Sequence, residues 1–367
     1  MLGLAAQHSL ERTNMNTLVI HAGTGKTGST SIQKFFYSRS SGGTRDGIKY
    51  PDAGNFHHNA LEVVVLPEDR WHRAFQILTP PERERLSAEA DTLVRLVKDE
   101  GRNGSNILVS SEYLCSLGTP AIDRLLERFQ QCFSRIVCVL YVREPTALIA
   151  SSIQQVLKLD HRITKTLLQT YPFRKMISNW EASALSDGIF VRPFVESRNW
   201  DVVSDISNLI EGMGISVDDR PKSGPERGSR TNRSMSTEEC IVLQRAKMAL
   251  DVQPNAGQRE VNTLINLGVT ESAKGLDLSK FKLIPSLRAD VGRTHSEDLE
   301  WLKENYDISF QSNLTASAPA MPMDTNRSEL TLVEEVAEFY PEKLDRLTHR
   351  FRRFCSRQAL LRSELSA

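Results

Sequence analysis

The stretch TLVIHAGTGKTGSTSIQKFFY, residues 17 to 37, constrains this chain more than any other. Leu18, Val19 and Ile20 form a short apolar strand, a Gly-rich turn holding one lysine follows, and a helix begins after it. A strand, a Gly-rich turn and a helix N-terminus together make an anion site. Glycines let backbone N–H groups approach a phosphate, and the helix dipole adds partial positive charge. Lys26 supplies a full charge, and Thr27, Ser29 and Thr30 supply hydroxyl donors. The turn suits the phosphates of a nucleotide.

A Walker A loop, G-x-x-x-x-G-K-[ST], is the first comparison. Gly25-Lys26-Thr27 matches its end, but Ile20, inside the strand, stands where its first glycine belongs. The wrap around a β-phosphate is therefore too short, and Gly28 has no part in that motif. Read as K-T-G-S-T followed by a helix, the stretch resembles the 5′-phosphosulfate loop of the sulfotransferases. That family typically shows P-K-x-G-[ST]-[ST] directly after its first strand. The departure is Gly25, where the family usually has proline; it loosens the turn and produces the Walker-like ending.

A second segment, IVCVLYVREPTALIASSIQQ from 136 to 155, starts as a fully apolar run, the mark of a strand buried on both faces. The run ends in Arg143, and Pro145 suits the first turn of a helix. Ser151 lies eight residues after Arg143, on that helix. The sulfotransferase 3′-phosphate site resembles this arrangement. An Arg fork matches phosphate oxygens, and a Ser hydroxyl adds a neutral donor. The bland alternative has Arg143 paired with Glu144 or capping a helix, with Ser151 on the surface.

A third stretch, IFVRPFVESRNW from 189 to 200, resembles a strand-and-turn segment of bacterial sulfotransferases. A helix over 172–186 precedes it, with Phe173, Met176, Ile177 and Trp180 at core spacing, and Arg192 and Glu196 read as structural. The resemblance spans residues 17 to 240, strong at the two phosphate motifs and diffuse elsewhere.

Charge and cysteine usage narrow the classes. Among 367 residues, Lys+Arg and Asp+Glu both number 46, which argues against a general nucleic-acid binder. The five cysteines, Cys115, Cys132, Cys138, Cys240 and Cys355, show no C-x-x-C pair. They point to a reducing compartment rather than a disulfide scaffold or a structural zinc. No run approaches about eighteen apolar residues, so no transmembrane anchor is expected. MLGLAAQHSLERTN lacks the basic region and apolar core of a secretory signal. Residues 1–16 read as a loose extension and the setting as cytoplasmic.

Along the chain, strands alternate with helices. Gly42-Gly43 mark a turn, Gly47 to Pro51 reads as a short strand, and 54–59, with His57 and His58, is a loop. Pro80-Pro81 open an amphipathic helix over 80–100; NILVS at 106–110 is a buried strand, and 119–133 another helix. This predicts an α/β fold, a mainly parallel central sheet flanked by helices, with additional C-terminal helices, and the resemblance implies the P-loop-like sulfotransferase form of it. Ligands bind beyond the carboxyl ends of such strands, where Lys26, Glu112 and Arg143 all fall. The expected division is an α/β core over 17–240 and a mainly helical region over 241–367, with a loose connector near 314–327. Residues 216–236 are rich in Gly, Pro, Ser and Arg. They suit a solvated linker or, by the resemblance, a basic loop over the 3′-phosphate, with Arg230 the choice among Arg227, Arg230 and Arg233. Arg350, Arg352, Arg353 and Arg357 suit a solvated face, with an anionic acceptor or partner surface as the alternative.

The resemblance implies sulfuryl transfer from 3′-phosphoadenosine 5′-phosphosulfate (PAPS), with no metal required. Such transfer is in-line and loose, so positioning and charge stabilisation dominate. It assigns Gly25, Lys26, Thr27, Gly28, Ser29 and Thr30 to the 5′ end of the donor and Arg143, Ser151 and Arg230 to its 3′-phosphate. The acceptor it implies is a hydroxyl or amine on a carbohydrate, glycolipid or other small molecule. Glu112, after the NILVS strand, is the favoured base, and His57 and His58 are rivals. A His has the better resting pKa, whereas a Glu needs burial to raise its own. Two other readings stay open: a P-loop-type ATP-dependent small-molecule kinase, and a degenerate nucleotide-binding member without catalysis.

Overall fold

The computed structural model describes residues 16–39, 47–164, 171–197, 199–217, 234–252, 258–310 and 332–358. In chain order the first elements are β1 (Thr17–Ala22), α1 (Ser29–Tyr37), β2 (Ile48–Lys49), α2 (Pro80–Arg102), β3 (Asn106–Ser111) and α3 (Thr119–Glu127). There follow β4 (Arg135–Arg143), α4 (Pro145–Leu159), α5 (Phe173–Glu181), β5 (Ile189–Phe194) and α6 (Val202–Gly212). Then come α7 (Thr237–Ala249), α8 (Arg259–Ala273), α9 (Pro285–Thr294), α10 (Ser296–Tyr306) and α11 (Pro341–Cys355), with short helical turns at Arg73–Gln76 and Val333–Val336.

The α/β expectation holds. The sheet is parallel throughout, in the order β2-β3-β1-β4-β5. β1, β3 and β4 are almost wholly buried, which is why they read as apolar runs rather than alternating ones. One face packs Val19, Leu108, Val137, Val139 and Tyr141 under Ile32, Phe35 and Phe36 of α1 and Val202, Val203, Ile206 and Ile210 of α6. The chain leaves β1 toward β2 and β3 on one side and reaches β4 and β5 on the other. The order therefore reverses beside β1 and β4, and the crevice of a doubly wound sheet lies at their carboxyl ends.

Two compact units account for the described residues: those within 1–143 and 172–231, and those within 144–171 and 232–367. This differs from the linear division drawn at 240. Helix α4 belongs to the second unit, because Ile149, Ala150, Ile153 and Leu157 join Cys240, Ile241, Leu243, Ile265 and Phe351 in one core. Periodicity marks a buried face without saying which face covers it. The extension also ends one residue early, since Asn16 is buried in the first unit. Its amide donates to Gly101 O (2.7 Å) and Cys132 O (2.9 Å) and accepts from Ser134 N (3.0 Å).

Several boundaries shift for local reasons. Helix α3 stops at Glu127 and gives way to turns, in which Phe129 N and Gln130 N both bond Leu126 O. Helix α2 starts where Pro80-Pro81 suggest, with Thr79 N donating to Glu82 Oε2 (2.8 Å). In the second unit α11 turns Leu344, Leu347, Phe351 and Cys355 inward and leaves Arg350, Arg352, Arg353 and Arg357 exposed. Among the described residues no helix is long and apolar enough to cross a membrane. The connector near 314–327 and the turn at Gly42-Gly43 lie outside the described residues.

Candidate functional site

The loop between β1 and α1 holds Gly23 to Gly28, and Ile20 is fully buried within the strand, paired to Val109 and Cys138. Two of its residues take left-handed conformations, Lys26 (φ 69°) and Gly28 (φ 81°). Glycine is needed at 28 on two counts. A non-glycine pays for that φ, and a Cβ there would stand 2.8 Å from Val202 Cγ1 and 3.1 Å from Phe194 Cε2. Gly28 is the N-cap of α1 and offers no side chain to cap it. The first N–H groups of the helix are thus left to other acceptors. Gly25 is different: its φ is not positive, and a Cβ there would meet nothing within 4 Å. The residue that departs from the P-K-x-G-[ST]-[ST] pattern is the one with room to vary.

The hydroxyls divide into two sets. Thr27 is fully buried and donates inward to Thr24 O (2.6 Å), while Thr24 donates to Tyr141 O on β4 (2.6 Å). Thr27 thus holds the loop's shape through its side chain and has only its backbone N–H to offer an anion. Ser29 is buried too. Its Oγ is near enough to the Glu112 carboxyl to favour the ionised form, yet reaches no partner with hydrogen-bond geometry. Thr30 is half-buried on the first turn of α1. Beneath them His21 is fully buried, its Nδ1 2.7 Å from Ser110 Oγ and its Nε2 without a partner; burial pushes its pKa down to about 3.

Arg143 reaches this loop from the end of β4. Its Nη1 donates to Lys26 O (2.7 Å), fastening the residue that carries the loop's charge. Its Nη2 pairs with Glu196, just beyond β5, and its guanidinium lies 5.3 Å from the centre of the Phe194 ring. Nε is buried with no acceptor. Glu144 does not compete for the guanidinium; it caps α4 by accepting from Thr146 N (3.0 Å) and Ala147 N (2.7 Å). Arg192 is structural as expected, paired with Asp205, which also accepts from Tyr141 OH (2.7 Å). Glu196, also read from the sequence as structural, is the residue paired with Arg143.

Glu112 follows β3 and is half-buried beside the same loop. Burial raises its pKa, opposed by the charge of Lys26 and then by Ser29. Asn59 sets the turn, its Oδ1 accepting from Ser111 Oγ (2.9 Å) and Glu112 N (3.2 Å). The two histidines part company. His58 is buried with both nitrogens committed: Nδ1 accepts from Ser110 N (3.0 Å), so Nε2 donates to Pro51 O (2.9 Å). Burial lowers its pKa to about 4, and no nitrogen remains for a substrate. His57 is half-buried, its Nδ1 has no partner, and burial lowers its pKa, so it is a neutral imidazole able to accept a proton.

Three side chains near Glu112 carry no sequence motif. Tyr113 stacks on His72 (3.9 Å between ring centres), and its pKa is pushed up to about 12 by burial, then by Glu112 and Glu62. Glu62 is buried, accepts from His72 N (2.9 Å), and is raised by burial to about 7. Glu196 and Tyr113 could have been found by listing residues just past strand ends; Glu62 and His72 sit in turns that give no such signal.

The first unit thus gathers Lys26, Thr27, Gly28, Ser29, Glu112 and Arg143 at the carboxyl ends of β1, β3 and β4. Ser151 is half-buried on α4 and belongs to the second unit. Arg227, Arg230 and Arg233 lie outside the described residues. Among the described residues no three His, Cys, Asp or Glu side chains gather as metal ligands. Comparisons of the chain with protein-family models, with curated proteins and with solved structures return no match.

Proposed function

We propose that this protein is a sulfotransferase, moving a sulfuryl group from PAPS to a hydroxyl or amine, with a carbohydrate or glycolipid as the acceptor class. The observation that carries the reading is the fastening of Arg143, at the end of β4, to the carbonyl of Lys26 in a K-T-G-S-T loop. One strand end then serves the 5′-phosphosulfate and its neighbour the 3′-phosphate. The acceptor class rests on the family resemblance alone, as do the roles of Ser151 and Arg230 at the 3′-phosphate. A cytoplasmic setting accords with Cys115, Cys132, Cys138, Cys240 and Cys355 all being buried and outside any disulfide.

In the proposed reaction the acceptor oxygen attacks sulfur, and the bond from sulfur to the 5′-phosphate oxygen breaks in line. The acceptor proton passes to Glu112, with His57 as the rival base, and 3′,5′-adenosine bisphosphate leaves. Lys26 stabilises the charge that builds on the departing phosphate, and the amides of Thr27 to Thr30 hold it. Glu112 is suited to the proton because burial raises its pKa above the ordinary carboxylate value, opposed by the charge of Lys26.

Calorimetric titration with 3′,5′-adenosine bisphosphate, and with ATP plus Mg²⁺ in parallel, tests the reading. Tight metal-free binding of the bisphosphate with weak ATP binding is expected. Preference for ATP-Mg²⁺ would return Gly25-Lys26-Thr27 to a kinase, and binding of neither would leave a degenerate member.

A further inference from the structure

We infer that Glu196 is a displaceable counter-ion which occupies half of the Arg143 phosphate seat and thereby tunes which anion takes it. The inference rests on the donor reading above and concerns the 3′-phosphate end of that site.

A guanidinium has two useful edges. Arg143 spends Nη1 on Lys26 O, which holds the loop. The edge left for a bidentate anion is the one formed by Nε and Nη2. Of those two donors, Nη2 is paired with Glu196, and Nε is buried without an acceptor. The Glu196 carboxylate therefore sits on one of the two donors that a phosphate could engage together. The Arg143 side chain is only 12% exposed and Glu196 is 36% exposed, so the arginine is the enclosed partner and the glutamate the one on the solvent side. The backbone supports this division. Arg143 is held by the Lys26 carbonyl and the neighbouring Phe194 ring, whereas Glu196 stands two residues beyond the end of β5 in an exposed stretch from Val195 to Ser197.

The consequence is selectivity by charge. While Glu196 is in place the guanidinium is neutralised, and an incoming anion must displace one carboxylate and then tolerate its charge nearby. A phosphate monoester near pH 7 carries about −1.5 to −2 and three acceptor oxygens, enough to fill both donors. A single carboxylate or a sulfate monoester brings less charge and gains less by the exchange. Glu196 thus acts on the ligand bearing a terminal phosphate and on no other part of the donor.

The test is calorimetric titration of the full chain and of its Glu196→Gln variant with two probes, 3′,5′-adenosine bisphosphate and adenosine 5′-monophosphate. The inference expects the variant to bind the bisphosphate about fivefold more tightly, the scale of a partly exposed ion pair, and the monophosphate with unchanged affinity. In an Arg143→Ala background the same Glu196→Gln change should have no effect on the bisphosphate, since the coupling runs through the guanidinium. Equal or weaker bisphosphate binding by Glu196→Gln would make Glu196 an orienting partner of Arg143 and overturn the inference alone. Equal tightening of both probes would show a general charge effect and overturn it as well. Binding of neither probe by either protein would overturn the donor reading together with this one.

Discussion

Two regions, one in each unit, treat their buried polar groups in opposite ways. In the second unit, α7 is buried on nearly every side, yet its charged and amide side chains have partners within the chain. Glu238 accepts from Ser279 N (2.9 Å) and Oγ (2.7 Å), and Glu239 closes a capping box with Ser236. Gln244 donates to His161 O (2.9 Å) and accepts from Val333 N (2.8 Å), while Lys247 donates to Leu157 O (2.6 Å); Thr237 Oγ1 is the exception. In the first unit, Ser29 Oγ, Arg143 Nε and His21 Nε2 are buried without partners at the Gly-rich turn that opens α1. Buried polar groups in folded proteins are nearly always paired. Helix α7 is braced almost wholly from within, whereas the strand-to-helix turn keeps polar groups that only solvent or a ligand could satisfy.

The sharpest way to break that contrast is at Lys26. Lys26→Ala should lower transfer by about a hundred- to a thousandfold, the scale of losing one charge-stabilising donor, with the circular dichroism spectrum unchanged. Residual transfer near the wild-type rate would remove the lysine from the chemistry. Next comes the choice of base. Glu112→Gln should cost roughly a hundredfold or more and abolish the acid limb of the pH–rate profile, because the working carboxylate is lost as pH falls through its raised pKa. If His57→Ala erases that limb instead, the histidine is the base.

Backbone effects come third. Gly28→Ala should destabilise the first unit by about 1–3 kcal/mol through strain and the clash with Val202, read from denaturant unfolding. Gly25→Ala should stay within about 0.5 kcal/mol of wild type, since its Cβ meets nothing. Similar losses at both positions would mean that the loop has no privileged glycine.

The last prediction concerns the scaffold. Burial pushes the pKa of Lys247 from 10.5 down to about 7. Between those values the unfolded chain binds a proton that the folded chain does not, so the lysine's contribution to stability rises with pH, by at most about 1.4 kcal/mol per unit. Wild type should therefore gain on Lys247→Met from pH 7 to pH 9.5 in urea melts. A constant difference would show that the ammonium stays charged in its site.

Much of the first unit was legible in the chain itself. The apolar runs at 106–110 and 136–142 have no alternation because both faces of β3 and β4 are covered, and Pro80 and Pro145 open helices as their fixed φ allows. The strand-turn-helix around Lys26 was legible for the same reason, since a local sequence dictates a local backbone. The roles of the two histidines were not. His57 and His58 are adjacent and chemically alike, and only Ser110 and Pro51, brought to His58 by the β2–β3 pairing and the loop beyond it, commit one ring and leave the other.

The sequence by itself determined the parallel α/β architecture, the Gly-rich strand-to-helix turn and the strand-end position of Arg143, because each follows from periodicity, glycine or proline within a few residues. Tertiary structure alone decided that α4 packs with the second unit, that Thr27 turns inward to Thr24, and that Arg143 divides its guanidinium between Lys26 and Glu196. Those partners lie far along the chain, and a side chain's choice among distant partners is set by which surfaces folding brings together. No local pattern encodes it.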